Sequence, residues 1–129
     1  MEETQPLGKL IDRLSQPAQL AGRRVRALNP LAEKDAALLH AVGRGEFLLN
    51  GFRNGNLRSL LFPNPPDDPI QRRRQAAAVT RLLRLLRAHG IIRKIPKTHR
   101  YLVTDKGRQV ITALQAARHA DVIKLTQAA

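Results

Sequence analysis

The sequence predicts an α+β fold, mostly α, in which helices surround one small antiparallel hairpin near the C-terminal end. Three observations carry this expectation. Residues 69–89 read as an amphipathic helix with marked ends, and residues 91–103 hold two short apolar-basic segments around Pro96-Lys97-Thr98-His99. Thr104 then opens a helical pattern running to about residue 127.

Taken in order, residues 1–28 begin acidic and carry a short apolar helix candidate (Leu7, Leu10, Ile11, Leu14), then Pro17 and a basic step at Arg23, Arg24 and Arg26. This reads as an N-terminal arm or helix, with a solvated linker as the alternative; a basic arm suits a minor groove. Asn29-Pro30 marks the boundary of a second unit, residues 29–129. A helix is expected from Leu31 to Val42, burying Ala36, Leu38, Leu39 and Val42 and stopping at Gly43 and Gly45. Phe47-Leu48-Leu49 is a strand candidate, and Asn50-Gly51 turns the chain. A helix starting near Asn54 or Asn56 follows, with Leu57, Leu60 and Leu61 on one side.

In the helix of residues 69–89, about 100° per residue puts Val79, Leu82, Leu83 and Leu86 in one narrow sector, with Gln75 and Ala76 at its edges. Arg73, Arg74, Ala77, Thr80, Arg81 and Arg84 point the other way. Asp68 suits the N-cap, Pro69 the first helical position, and Gly90 the left-handed residue that closes a helix. Within the hairpin, Ile92, Ile95, Tyr101 and Val103 are candidates for the inward side, and Lys94, Lys97, Thr98, His99 and Arg100 cluster near the tip. The last helix has a clean stripe of Val110, Ile111, Leu114 and Ala117; beyond it Ala120, Val122, Ile123 and Leu125 make the helix apolar on more than one side. Excess apolar surface on a terminal helix suits a two-fold dimer, joined in this reading by residues 7–14.

With 129 residues the chain is the size of one domain, and only four aromatics (Phe47, Phe52, Phe62, Tyr101) contribute to its core. There is no cysteine, hence no disulfide framework or thiolate zinc site. The opening MEETQPLGKL lacks the basic and apolar regions of a signal peptide, and no apolar run approaches the roughly 18 residues of a membrane span. A soluble cytoplasmic protein with no membrane partner is expected. Residues 1–70 carry nine Lys/Arg against eight Asp/Glu, whereas residues 71–129 carry fourteen against two. Charge of one sign concentrated on one module marks a polyanion partner.

Catalytic chemistry is not readable. His40, His89, His99 and His119 lack metal-ligand spacing, so no metal or cofactor is expected; Gly43-Arg44-Gly45 matches no phosphate-binding loop. No carboxylate pair is poised for acid-base work, and a non-enzymatic role is expected.

The run TRLLRLLRAHGIIRKI, followed by YLVTDKGR, resembles winged helix-turn-helix transcription regulators, especially the MarR type and its ArsR-like relatives. In those families a helix ending in a Gly-apolar-Ile-Arg step feeds the first wing strand, and the second strand ends in apolar-Val/Leu-Thr-x-x-Gly. Here these stand as Gly90-Ile91-Ile92-Arg93 and Leu102-Val103-Thr104-Asp105-Lys106-Gly107. The resemblance covers about residues 31–117. It implies that residues 69–89 are a recognition helix, 91–103 a wing, and 104–127 the closing helix. The partner is then double-stranded DNA and the role bacterial-type, nucleoid-associated transcription regulation. The DNA-contacting set is Arg72, Arg73, Arg74, Thr80, Arg81 and Arg84 from the helix, and Lys94, Lys97, Thr98, His99 and Arg100 from the wing. Arg53 and Arg58 fall where a supporting helix touches phosphate.

One departure stands out: Pro63-Asn64-Pro65-Pro66-Asp67-Asp68 is longer than the usual three- or four-residue turn between two such helices. Two assignments of the arginines follow. Either Arg72-Arg73-Arg74 grip backbone while Thr80, Arg81 and Arg84 meet base edges, or the reverse. The alternative function is an accessory interaction module of a larger complex, binding protein or RNA through the same basic face; few aromatics are present to stack on single strands. A membrane-surface helix is a third reading, disfavoured by the cap, the glycine stop and the hairpin.

Overall fold

A computed structural model describes the backbone of residues 12–128 and the side chains of residues 12–117. It is mixed α+β and mostly helical, with two separate two-stranded antiparallel sheets. The elements are β1 (Ala18–Leu20), β2 (Arg23–Val25), α1 (Glu33–Val42), α2 (Gly45–Asn50), α3 (Asn54–Leu61), α4 (Pro69–Ala88), β3 (Ile92–Lys94), β4 (Tyr101–Val103) and α5 (Asp105–Ala128). Among the described residues, no helix is long and apolar enough to cross a membrane.

The N-terminal segment differs from the expected arm. Strands β1 and β2 pair through Ala18↔Val25, Gln19↔Arg24 and Leu20↔Arg23. The two-residue loop has positive φ at both Ala21 (52°) and Gly22 (79°), the geometry that matches the twist of flanking strands. Leu14 and Leu28 are fully buried in the main core, and the Leu28 N–H donates to the Leu14 carbonyl at 2.8 Å. Asn29-Pro30 therefore divides no core. Arg26 is likewise not a free basic arm: its guanidinium makes a two-pronged contact with Asp35 at 2.9 and 3.1 Å. Of the apolar residues expected to support a dimer, Leu7, Leu10, Ile11, Ala120, Val122, Ile123 and Leu125 lie outside the residues whose side chains are described. Leu14 is consumed by the core.

Helix α1 starts two residues later than expected, at Glu33, because Pro30 follows an Asn29 turn in which Oδ1 accepts the Leu31 N–H at 3.1 Å. Glu33 and Asp35 then place negative charge in its first turn, favourable against the helix dipole.

Residues 47–49 form no strand. They lie inside helix α2, whose Phe47 is buried while Leu49 is 81% exposed. Its last carbonyls find donors far along the chain: Arg108 Nη2 reaches Leu48 O at 2.6 Å and Arg100 Nη1 reaches Asn50 O at 3.2 Å. The strand-like partner of the β3–β4 hairpin is Phe52 instead, which exchanges both backbone hydrogen bonds with Tyr101 at 2.9 and 2.8 Å. Rings of Phe47, Phe52 and Tyr101 stack in succession, with centroids 5.0 and 5.9 Å apart. Gly51, at φ 75°, permits this pairing, since a Cβ there would run into the Tyr101 carbonyl.

Helix α4 matches its expected bounds because both ends are locally specified. Asp68 accepts the Ile70 N–H at 3.0 Å, and Pro69 fills the first position. At the other end Gly90 takes φ 73°, its N–H donates to Arg87 O, and the Ile91 N–H donates to Leu86 O. These two bonds define the glycine-closed helix terminus, with Leu86 and Ile91 both buried beside it. Val79, Leu83 and Leu86 face the core as expected; Leu82 is half-buried, and Leu85 is buried as well. The extra burial comes from the N-terminal hairpin, which packs on that flank.

Thr104 joins the ends of α4 and α5. Its N–H donates to Ile91 O, its hydroxyl reaches Gly90 O at 2.5 Å, and its Oγ1 accepts the Gly107 N–H at 3.0 Å. A Cβ at Gly107 would collide with the Ile91 carbonyl, so the Thr-x-x-Gly spacing both caps α5 and lets it approach.

Candidate nucleic-acid interface

The outward side of α4 presents Arg73, Arg74, Ala77, Arg81 and Arg84, all exposed, with Ile70 at 56% exposure beside them. Ala77 in the middle of the arginines leaves this face without bulk at its centre, so a helix of this kind can approach a surface closely. The ion pairs among the described residues, Arg26–Asp35 and Arg44–Glu46, leave these guanidinium groups without a carboxylate. Unpaired arginine forks match phosphate oxygens and the paired acceptors of a guanine edge.

Thr80 is exposed, yet its hydroxyl is engaged: it donates to Ala76 O at 3.0 Å and accepts from Asn54 Nδ2 at 3.1 Å. Asn54 Nδ2 also reaches Ala76 O at 3.1 Å, so the first residue of α3 is tied to the middle of α4. The sequence marks Thr80 as a contact residue, whereas Asn54 carries no local signal for its link to α4.

The arginine triplet is divided. Arg73 and Arg74 share the outward face, whereas Arg72 lines a cleft of about 280 Å³ with Arg58, Ser59, Phe62, Pro63 and Pro65. Pro63 and Pro65 of the long connection form one wall of that cleft. Two guanidinium groups face one opening there, an arrangement suited to a single phosphate. Arg53 precedes α3, exposed, with its own N–H held by Asn56 Oδ1 at 2.8 Å.

No family model matches this chain, and no curated protein or solved structure does either.

In the β3–β4 hairpin, Lys97, His99 and Arg100 are exposed, and Lys94 and Thr98 are half-buried. Thr98 shapes the turn, donating its hydroxyl to Ile95 O at 2.8 Å and accepting the Arg100 N–H at 3.1 Å. Lys97 sits at φ 62° at the apex. Arg100 commits one guanidinium N–H to Asn50 O, which leaves Lys97 and His99 as the outermost side chains of the tip. Arg93, exposed on β3, adds a cation outside the expected contact set.

Behind this surface lies a charged anchor. Asp35, with a side chain 7% exposed, accepts from Arg26 and from the Asn29 N–H at 2.8 Å. Burial pushes its carboxyl upward, but the hydrogen bonds from Arg26 and Asn29 outweigh it, and the pKa falls below the ordinary carboxylate value. The Arg26 pKa is raised, chiefly by the same hydrogen bond. Buried His89, at the end of α4, holds Arg26 O through Nε2 at 2.8 Å. Lys106 lies against Gly90; burial lowers its pKa, and Arg13 adds to the effect.

Proposed function

We propose that the chain is a winged helix protein that binds duplex DNA, with α4 as recognition helix and β3–β4 as wing, and that it regulates transcription. The observation that carries this reading is the acid-free arginine face of α4. Support comes also from the order of elements, helix, connection, helix, hairpin, helix, and from Phe52 pairing with the hairpin just before α3. In this arrangement Arg73, Arg74, Arg81 and Arg84 enter the major groove. Lys97 and His99 lie on the flanking backbone, and Arg58 with Arg72 holds a phosphate at the edge. The role is one of binding rather than catalysis.

A two-fold pair joined through α5 would set two α4 helices about one DNA turn apart. Helix α5 has 24 residues, and its described core contacts, Val110, Ile111 and Leu114, all lie in its first half. Sedimentation at a mass of about 29 kDa, twice the 14.4 kDa of the chain, checks this pairing.

Selection of bound duplexes from a random pool tests the reading. An enriched motif that outcompetes heparin is the expected result. A pool with no enrichment, together with binding that heparin abolishes, would move the function to an accessory module with a charge-only surface.

A further inference from the structure

We propose that the N-terminal β1–β2 hairpin is a second duplex-backbone contact, in which Arg23 and Arg24 grip phosphates along the flank of α4 opposite α3. The inference rests on the DNA-binding reading and extends it to a segment that the resemblance does not cover.

Helical geometry sets the placement. Asn54 of α3 touches α4 at Ala76 and Thr80, whereas the hairpin meets α4 around Ala78, Leu82 and Leu85. At about 100° per residue these two sets lie on opposite flanks, with the arginine face between them. The β3–β4 hairpin is tied through Tyr101 to Phe52, two residues before α3 begins. The N-terminal hairpin therefore stands on the flank of the arginine face that α3 leaves free.

Val25 and Arg26 share a depression of about 400 Å³ with Arg81. Arg24 and Arg23 lie one and two residues further along β2, at about 3.3 Å per residue. Both are exposed, neither has a carboxylate partner among the described residues, and the Ala21-Gly22 turn beyond them is exposed too. Arginine 24 and Gln19 form a cross-strand pair on one face, while Arg23 sits on the other with Leu20 and Val25.

The hairpin's base is pinned before any ligand arrives. Leu28 bonds to Leu14, Arg26 to Asp35, and the Arg26 carbonyl to His89 at the end of α4. A contact held this way loses little freedom on binding. Phosphate contacts carry no sequence information, so the hairpin adds affinity and register rather than specificity.

The test is duplex binding by fluorescence anisotropy across about 50–200 mM salt. For R23A/R24A the slope of log K against log salt should become shallower by about 2, with affinity down roughly tenfold or more and the ranking of duplexes unchanged. A K34A/R44A variant removes the same charge from α1 and the residue capping α2, and should keep the wild-type slope. Wild-type slope in R23A/R24A, or an equal loss in K34A/R44A, overturns the hairpin contact. Absence of salt-dependent duplex binding by the wild type overturns the DNA reading as well.

Position is read separately, since the chain has no cysteine. An iron chelate on Arg24→Cys should cleave the backbone beside the groove that a chelate on Ala77→Cys cleaves. Cleavage from position 77 with none from position 24 overturns the proposal even where the alanine variant folds poorly.

Discussion

Asn54 Nδ2 lies 3.1 Å from Thr80 Oγ1, across the junction of α3 and α4. Asn54 also holds the Ala76 carbonyl, so α3 is tied to the flank of α4 that adjoins the arginine face. An amide with two bonds to α4 ties the first residue of α3 to the middle of that helix.

Asn54→Ala should lower stability by about 1 kcal/mol, the ordinary net value of such hydrogen bonds. It should weaken duplex binding more than its distance from the arginines implies. Urea unfolding followed by circular dichroism measures the first effect, and anisotropy the second. Unchanged affinity would separate the helix angle from binding.

Gly107→Ala should destabilise by about 1–3 kcal/mol, as expected for a methyl group forced into packed structure. The new Cβ meets the Ile91 carbonyl, with Val103 Cγ1 also at 3.0 Å. The midpoint of chemical unfolding checks it. Gly45→Ala, where a Cβ meets nothing within 4 Å, provides the contrast and should be near neutral.

The Asp35 anchor should give the fold an acid limit. Its folded-state pKa lies below the unfolded value, so the ionised carboxylate stabilises the fold above the ordinary carboxylate pKa near 4. That contribution disappears as pH falls through the depressed folded value. Asp35→Asn should cost about 1–3 kcal/mol at neutral pH and flatten the fall of Tm on acidification. A wild-type slope of Tm against pH in the variant would assign the acid limit to other groups.

Legibility in the sequence followed the range of the determining contacts. Helix α4 was readable because Asp68, Pro69 and Gly90 act within a turn of it. The Thr104–Gly107 cap was readable for the same reason. Helix α2 was not, because a short apolar run is ambiguous and its carbonyls are satisfied by Arg100 and Arg108, some fifty and sixty residues away. The β1–β2 hairpin is not legible because its strands have three residues each and its turn is Ala-Gly, lacking the asparagine or aspartate that signals such turns. In the site, the angular separation of Arg72 from Arg73 and Arg74 was implicit in the helix period. The cleft that pairs Arg72 with Arg58 depends on the course of the proline-rich connection, which no periodicity encodes.

The central claim meets its most direct test in a gel-shift titration of the Arg73/Arg74/Arg81/Arg84 quadruple alanine variant against its selected duplex. A loss of roughly hundredfold or more, with the fold intact by circular dichroism, is the predicted result. Binding equal to that of the wild type would contradict the assignment of α4 to the groove.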